Sequence, residues 1–284
     1  MSSTVRDLPA SGAPQPSLAA QPPLLVALHG WLLSGRLWQP LVEQLEPEWS
    51  LWTPDLPGFG ASARPRGLQP SLASYGRWVA AACRDRLEPG RQVVLIGHSL
   101  GGSIALHAAA GLGGRLAGMV QIAAGGGVYQ PRPFRQVRQG GAAFMRWRPR
   151  WLLGLPGSDG LSAPLRADPR AARGLLACSM RREAVQQLPQ LTAGLAVPSL
   201  WIAGSRDTVM APRYVRHLAG YAPEHQFALL EGAGHLPMRQ MPGALAGILR
   251  PWLATLPAGR EIAAGSSAQS EPGIPAQSEA RPRS

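Results

Sequence analysis

The chain contains no lysine: all 28 of its basic residues are arginine. Together with many alanines, 34 glycines and 29 prolines, that absence reads as a GC-rich coding bias that writes surface cations as arginine. It weakens the nucleic-acid reading that a net charge of +12 would otherwise invite, so nucleic acid is disfavoured as a partner. Cysteine is nearly missing too. Cys83 and Cys178 lie singly in alanine-rich, helix-like surroundings, which excludes a disulfide framework and predicts free thiols in a reducing compartment. No apolar run reaches the roughly eighteen residues that a transmembrane helix needs, so no integral membrane protein is predicted. The first residues lack a basic start followed by an apolar core, which argues against a secretory signal. These absences predict a cytoplasmic protein.

What is present is ordinary globular material, 45% hydrophobic, of a length that one α/β domain with an insertion accommodates. Residues 1–22 and 258–284 are rich in small and polar residues without periodicity and are predicted to be disordered tails. Between them, over 23–257, strands are predicted at Leu24–His29, Leu51–Asp55, Gln92–Ile96, Leu116–Ala123, Ser199–Ala203 and Gln226–Leu230. Helices are predicted at Leu37–Leu45, Ser71–Leu87, Gly101–Ala110, Pro212–Leu218 and Met241–Leu253. Such alternation predicts a mainly parallel sheet flanked by helices, with its site beyond the carboxyl ends of the strands. An interruption at about 126–192 is rich in Arg, Pro and Trp, with helical stretches near Phe134–Trp147 and Pro169–Leu188. An insertion at a strand's carboxyl end sits over the mouth of the site, so it reads as a mostly helical lid.

Gly97-His98-Ser99-Leu100-Gly101-Gly102 stands directly behind the apolar run Gln92–Ile96. A strand followed by Gly-x-Ser-x-Gly predicts a sharp strand-to-helix turn that holds the serine at positive φ, with Gly97 and Gly101 as the small neighbours it needs. The following helix aims its free N–H groups and positive dipole end at the Ser99 hydroxyl. A serine is a weak nucleophile until a base takes its proton, and that base needs a third group to orient it. His235, in the Gly-rich loop after the last strand, is the candidate base; Asp207, after the preceding strand, is the candidate orienter. A structural histidine and a surface-loop aspartate are the plainer alternatives. The chain order Ser, Asp, His, each just past a strand, favours catalysis. Two N–H donors for a developing oxyanion are expected from Leu100 and from Trp31, in the loop His29-Gly30-Trp31-Leu32. His29 is expected to brace that loop, and Asp55 to hold loops together.

With these residues in place, the chain resembles the α/β-hydrolase fold family, in the branch with a helical lid inserted after the sixth strand. His29-Gly30, the Asp55–Ser62 turn, the Gly97–Gly102 elbow, Asp207 and His235 carry the resemblance, which spans about 22–255. It implies Ser99 as nucleophile, His235 as general base and then acid, Asp207 as its orienter, and no metal or cofactor. Relatives that open haloalkanes or epoxides need an aspartate where Ser99 stands, which argues against both. Leu28-His29-Gly30-Trp31 and Asp55-Leu56-Pro57-Gly58-Phe59-Gly60 look like the carboxylesterases that demethylate pimeloyl-carrier-protein methyl esters, although those carry Trp where this chain has His98. The reaction implied is cleavage of a small-molecule or acyl-carrier ester or thioester through an acyl-enzyme. The same three residues also serve carbon–carbon bond hydrolases and cofactor-free perhydrolases, and a non-catalytic receptor of the same fold is the alternative from another class.

Within 126–192, eleven arginines stand against Asp159, Asp168 and Glu183, giving +8 of the chain's +12. Coding bias would have spread the charge more evenly, so an anionic partner is expected there. Arg146, Trp147, Arg148 and Trp151 are the lid candidates, with Leu32 as a pocket candidate. Trp147 and Trp151 at i, i+4 are expected on the packing face and the arginines on the solvated side. Oligomeric state is left open.

Overall fold

The computed structural model describes residues 21–124, 131–147 and 159–256, so the expected tails fall outside it apart from Gln21 and Pro22. In chain order come β1 (Leu24–Leu28), α1 (Gln39–Leu45), β2 (Leu51–Trp52), α2 (Leu72–Arg86), β3 (Val93–His98), α3 (Leu100–Leu112) and β4 (Leu116–Ile122). Four helices follow: α4 (Pro131–Trp147), α5 (Asp159–Arg166), α6 (Pro169–Ser179) and α7 (Arg182–Ala193). The chain then adds β5 (Ser199–Gly204), α8 (Pro212–Ala219), β6 (His225–Leu230), α9 (Pro237–Gln240) and α10 (Pro242–Ala254).

The strands pair in parallel in the order β2-β1-β3-β4-β5-β6. The chain steps outward from β1 to β2, then crosses back to β3 and builds the other way. Loops leaving β1 and β3 therefore part at their carboxyl ends, which opens the crevice where such sheets bind ligands. Pairing of Leu28 with Gly97 sets the loop after β1 beside the turn after β3. That register places the site.

Strands buried on both faces read as unbroken apolar runs, yet alternate residues serve different layers. Leu24, Val26, Leu28, Val93 and Leu95 pack with Tyr75, Val79 and Ile104 of α2 and α3 and with Val215 of α8. Leu25, Ala27, Val94 and Ile96 pack on the opposite face with Leu41 and Leu45 of α1 and with Leu249 and Trp252 of α10. Helix starts follow the sequence chemistry. The Ser71 hydroxyl caps α2 by accepting from the Ser74 N–H, and the Asp168 carboxylate caps α6 by accepting from Ala171, with Pro169 in the first turn.

Three boundaries differ from expectation. β2 stops at Trp52 rather than Asp55, because Pro54 has no N–H to donate to a ladder. The helix expected over Met241–Leu253 is α10, Pro242–Ala254, but a short helix that was not expected, α9, precedes it, with Pro237 in its first turn. The stretch Pro169–Leu188 breaks at Met180 and Arg181 into α6 and α7. The helical insertion follows β4, the fourth strand of this chain and not the sixth; no strands precede β1 among the described residues. Both cysteines are free, and burial pushes the Cys83 thiol up to about 12. No helix of the described residues is long and apolar enough to cross a membrane.

Candidate active site

β3 ends in a turn that holds Ser99 at φ 52°, ψ −119°, a region a non-glycine residue enters only when its surroundings impose it. The Ser99 N–H donates to the Ile122 carbonyl across the sheet (3.1 Å), and the Gly102 N–H donates to the Ser99 carbonyl (3.0 Å). A Cβ on Gly97 would land on the Gly102 backbone, and one on Gly101 on the Leu28 and His29 carbonyls. Only glycine lets α3 start this close to β1 and β3.

His235 reaches Ser99 from the loop after β6. Its Nδ1–H donates to Asp207 Oδ2 (2.8 Å), which leaves the Nε2 lone pair for the Ser99 hydroxyl 3.2 Å away. The Asp207 carboxylate is fully buried at the end of β5, where Oδ1 accepts from the Val209 and Met210 N–H groups (both 2.8 Å). Three donors fix its position, so it in turn fixes the imidazole. The His235 loop is tied down on both sides. Gly234 N–H donates to Gln240 Oε1 (2.7 Å), and Gly232 N–H donates to the Ser205 hydroxyl (2.9 Å).

His98 contributes a tie that the sequence reading did not assign. Its Nε2–H donates to the His235 carbonyl (2.8 Å), and its ring lies 4.9 Å from the His235 ring and edge-on to Trp38. Burial, then the neighbouring His235, lowers its pKa to about 3, so it stays neutral and keeps the Nε2 proton. Its Nδ1 has no partner among the described residues and faces Gly30, where a Cβ would come within 2.9 Å. The signal was adjacency to Ser99 at the end of a buried strand.

The loop after β1 meets the elbow from the other side. Leu32 takes φ 60°, and His29 braces the turn, donating Nδ1–H to the Gly30 carbonyl (2.8 Å) and accepting the Leu56 N–H at Nε2 (3.0 Å). Burial lowers its pKa to about 4, which suits a neutral structural ring. Asp55 links two loops by accepting from Gly35 (2.6 Å) and Ala61 (2.7 Å). Neither the Trp31 nor the Leu100 N–H donates to another group among the described residues. The Trp31 indole N–H instead reaches α6, donating to the Ala172 carbonyl (2.9 Å).

The structure thus brings Ser99, His235 and Asp207 into one hydrogen-bonded chain beside the Trp31–Leu32 loop and Leu100. It does not bring Arg146 and Trp147 there. They end α4 in solvent, with Trp147 79% exposed, which overturns its expected place on a packing face. Near this end of α4 the buried apolar side chain is Met145. Arg148 and Trp151 lie outside the described residues.

Residues 25–248 match a family described as "Alpha/beta hydrolase family". A pimeloyl-[acyl-carrier protein] methyl ester esterase of Xanthomonas campestris pv. campestris (strain B100) is 33% identical over 256 residues, 83% of this chain and 96% of that relative. One of the same name from Xylella fastidiosa (strain M12) is 31% identical over equal shares of the two chains. Among solved structures, a thermophilic esterase from Thermogutta terrifontis aligns with a TM-score of 0.67 at 23% identity, covering 82% of this chain and 89% of that one. A bromoperoxidase from Bacillus anthracis aligns at 0.68 and 19% identity, covering 83% and 93%. Those two are similar in fold alone. The extent of the family match and the identity to the curated relatives settle the point: this chain belongs to the alpha/beta hydrolase family and is an enzyme of that fold.

Proposed function

We propose that the protein is a serine hydrolase that cleaves a carboxylic ester or thioester through an acyl-enzyme. The observation that supports this most is the chain of hydrogen bonds from Ser99 Oγ through His235 to the buried Asp207 carboxylate. Ser99 Oγ attacks the carbonyl carbon while its proton passes to His235 Nε2. The tetrahedral oxyanion takes the free N–H groups of Trp31 and Leu100. His235 then returns the proton to the leaving alcohol or thiol as the carbon–oxygen or carbon–sulfur bond breaks. A water repeats the sequence and releases the acid, with His235 again as base and acid. The stretch 126–192 acts as the lid over this site.

The curated relatives are named for a methyl ester on an acyl-carrier protein. We carry that class over as the substrate: an ester presented by an acidic carrier, attracted by the positive charge of the eleven arginines in 126–192. The decisive comparison is hydrolysis of p-nitrophenyl esters from two to sixteen carbons beside a carrier-linked methyl ester, with Ser99→Ala in parallel. The carrier-linked ester should give the highest kcat/KM, and Ser99→Ala should lower every rate about 10⁴-fold or more. A variant that keeps wild-type rates would end the proposal, and a preference for short free esters would remove the carrier from it.

A further inference from the structure

A cavity of about 590 Å³ opens between the loop 64–70 and the first turn of α6. Arginine dominates its wall: Arg64, Arg66, Arg170 and Arg173 all line it. Arg64 is already committed. Its Nε pairs with Asp168 Oδ1 (3.2 Å) and its Nη1 donates to the Leu68 carbonyl (3.0 Å). The same Asp168 Oδ1 also accepts the Ala171 N–H, so one oxygen of this carboxylate is held by two donors. Pro70 closes the seam, lying so near Gly174 of α6 that a Cβ there would overlap it.

Arg66 and Arg170 stand differently. Both are exposed and have no hydrogen bond, acid or ring partner among the described residues, while Arg173 makes one long contact to the Met145 carbonyl (3.4 Å). Some surface arginines elsewhere find such partners: Arg250 pairs with Glu48, and Arg86, Arg213 and Arg216 lie over Trp52, Tyr214 and Phe227. Others, such as Arg36 and Arg239, do not among the described residues; what distinguishes this group is that its members line one cavity. Three guanidiniums around one concave space repel each other unless an anion sits among them. A carboxylate is satisfied by one guanidinium fork, whereas a phosphate presents enough oxygens for several at once. The cavity is larger than bare phosphate, and Leu68, Pro70 and Pro169 give it apolar wall for an attached organic group.

From this geometry we infer that the cavity is a binding site for a phosphate-bearing organic anion, held by Arg66, Arg170 and Arg173. α6 links it to the loop after β1. Arg170 and Arg173 face the cavity, while the intervening Ala172 carbonyl accepts the Trp31 indole N–H. An occupied site therefore steadies the helix against which the Trp31 loop rests. The phosphate is either free in solution or carried by the substrate itself, and the two sources give different results.

Binding is tested by calorimetric titration with inorganic pyrophosphate, which does not depend on the hydrolytic reading. Wild type should bind one equivalent saturably at 100 mM added salt, roughly the range where exposed charges are screened beyond a Debye length. Arg66→Ala/Arg170→Ala should weaken binding at least about tenfold, and Arg66→Lys/Arg170→Lys should recover only part of it because the fork is lost. Arg213→Ala/Arg216→Ala, removing equal charge on α8, should leave binding unchanged. Absence of saturable binding, or equal loss in the α8 pair, overturns the site. The second arm rests on the hydrolytic reading and compares one ester tethered to a phosphodiester arm with its phosphate-free counterpart. A kcat/KM advantage for the phosphorylated ester that vanishes in Arg66→Ala/Arg170→Ala assigns the phosphate to the substrate; equal values alongside pyrophosphate binding assign it to a free ligand.

Discussion

At the residue scale, the site depends on histidines used in three ways. His235 shares its two nitrogens between Asp207 and Ser99, His29 braces the loop after β1, and His98 holds the His235 backbone. His98 is a positioning residue, since it touches the carbonyl of His235 and not the reacting atoms. His98→Phe keeps the ring volume but strands that carbonyl in a buried place, so kcat for a p-nitrophenyl ester should fall about tenfold with KM nearly unchanged. His98→Gln, which restores a donor, should recover part of the loss; a merely structural ring would show the opposite order. The meeting of Ser99, Asp207 and His235 was readable because chain order and strand-end position restrict which residues can come together. That of His98 was not, because a backbone carbonyl as a partner leaves no trace in the sequence.

At the element scale, the parallel strands and the crossovers between them were legible from short β-branched runs separated by helical periodicity. Boundaries were less so, and the reasons are local: Pro54 ends β2 early, while Pro237 opens a short extra helix, α9, just ahead of the last one. Trp147 departs from its expected packing face for a different reason. Helical spacing tells which residues share a face but not whether a neighbour covers it, and Trp147 is 79% exposed. The contact that does join the inserted helices to the site is the Trp31 indole on the Ala172 carbonyl of α6, with the ring packed beside Leu176 and Gly141 of α4. Trp31→Phe leaves the main-chain N–H in place but removes this tie. It should lower kcat/KM about fivefold, the size of one net hydrogen bond, while thermal unfolding shifts by only a few degrees. No change in kcat/KM would mean that α6 does not steady the loop.

At the scale of the whole molecule, two fully buried neutral histidines make the fold sensitive to acid. His29 and His98 have folded pKa values lowered to about 4 and about 3 from 6.5, with burial the main cause in each. Above pH 6.5 neither folded nor unfolded state is protonated there, so these groups leave stability unchanged. As pH falls below 6.5 the unfolded chain takes up protons that the folded chain refuses, and stability drops by up to about 1.4 kcal/mol per pH unit for each histidine. Urea midpoints measured from pH 7 to pH 4 should therefore fall steeply in wild type and less steeply in His98→Phe; parallel slopes would contradict the burial of a neutral His98. The proposed chemistry converges on one oxygen atom, Ser99 Oγ. Its most direct test is peptide mapping by mass spectrometry after treatment with a fluorophosphonate. A single adduct on Ser99, lost in His235→Ala and absent from Ser99→Ala, is the predicted result; an adduct on another residue, or ester turnover that persists while Ser99 is fully labelled, would contradict it.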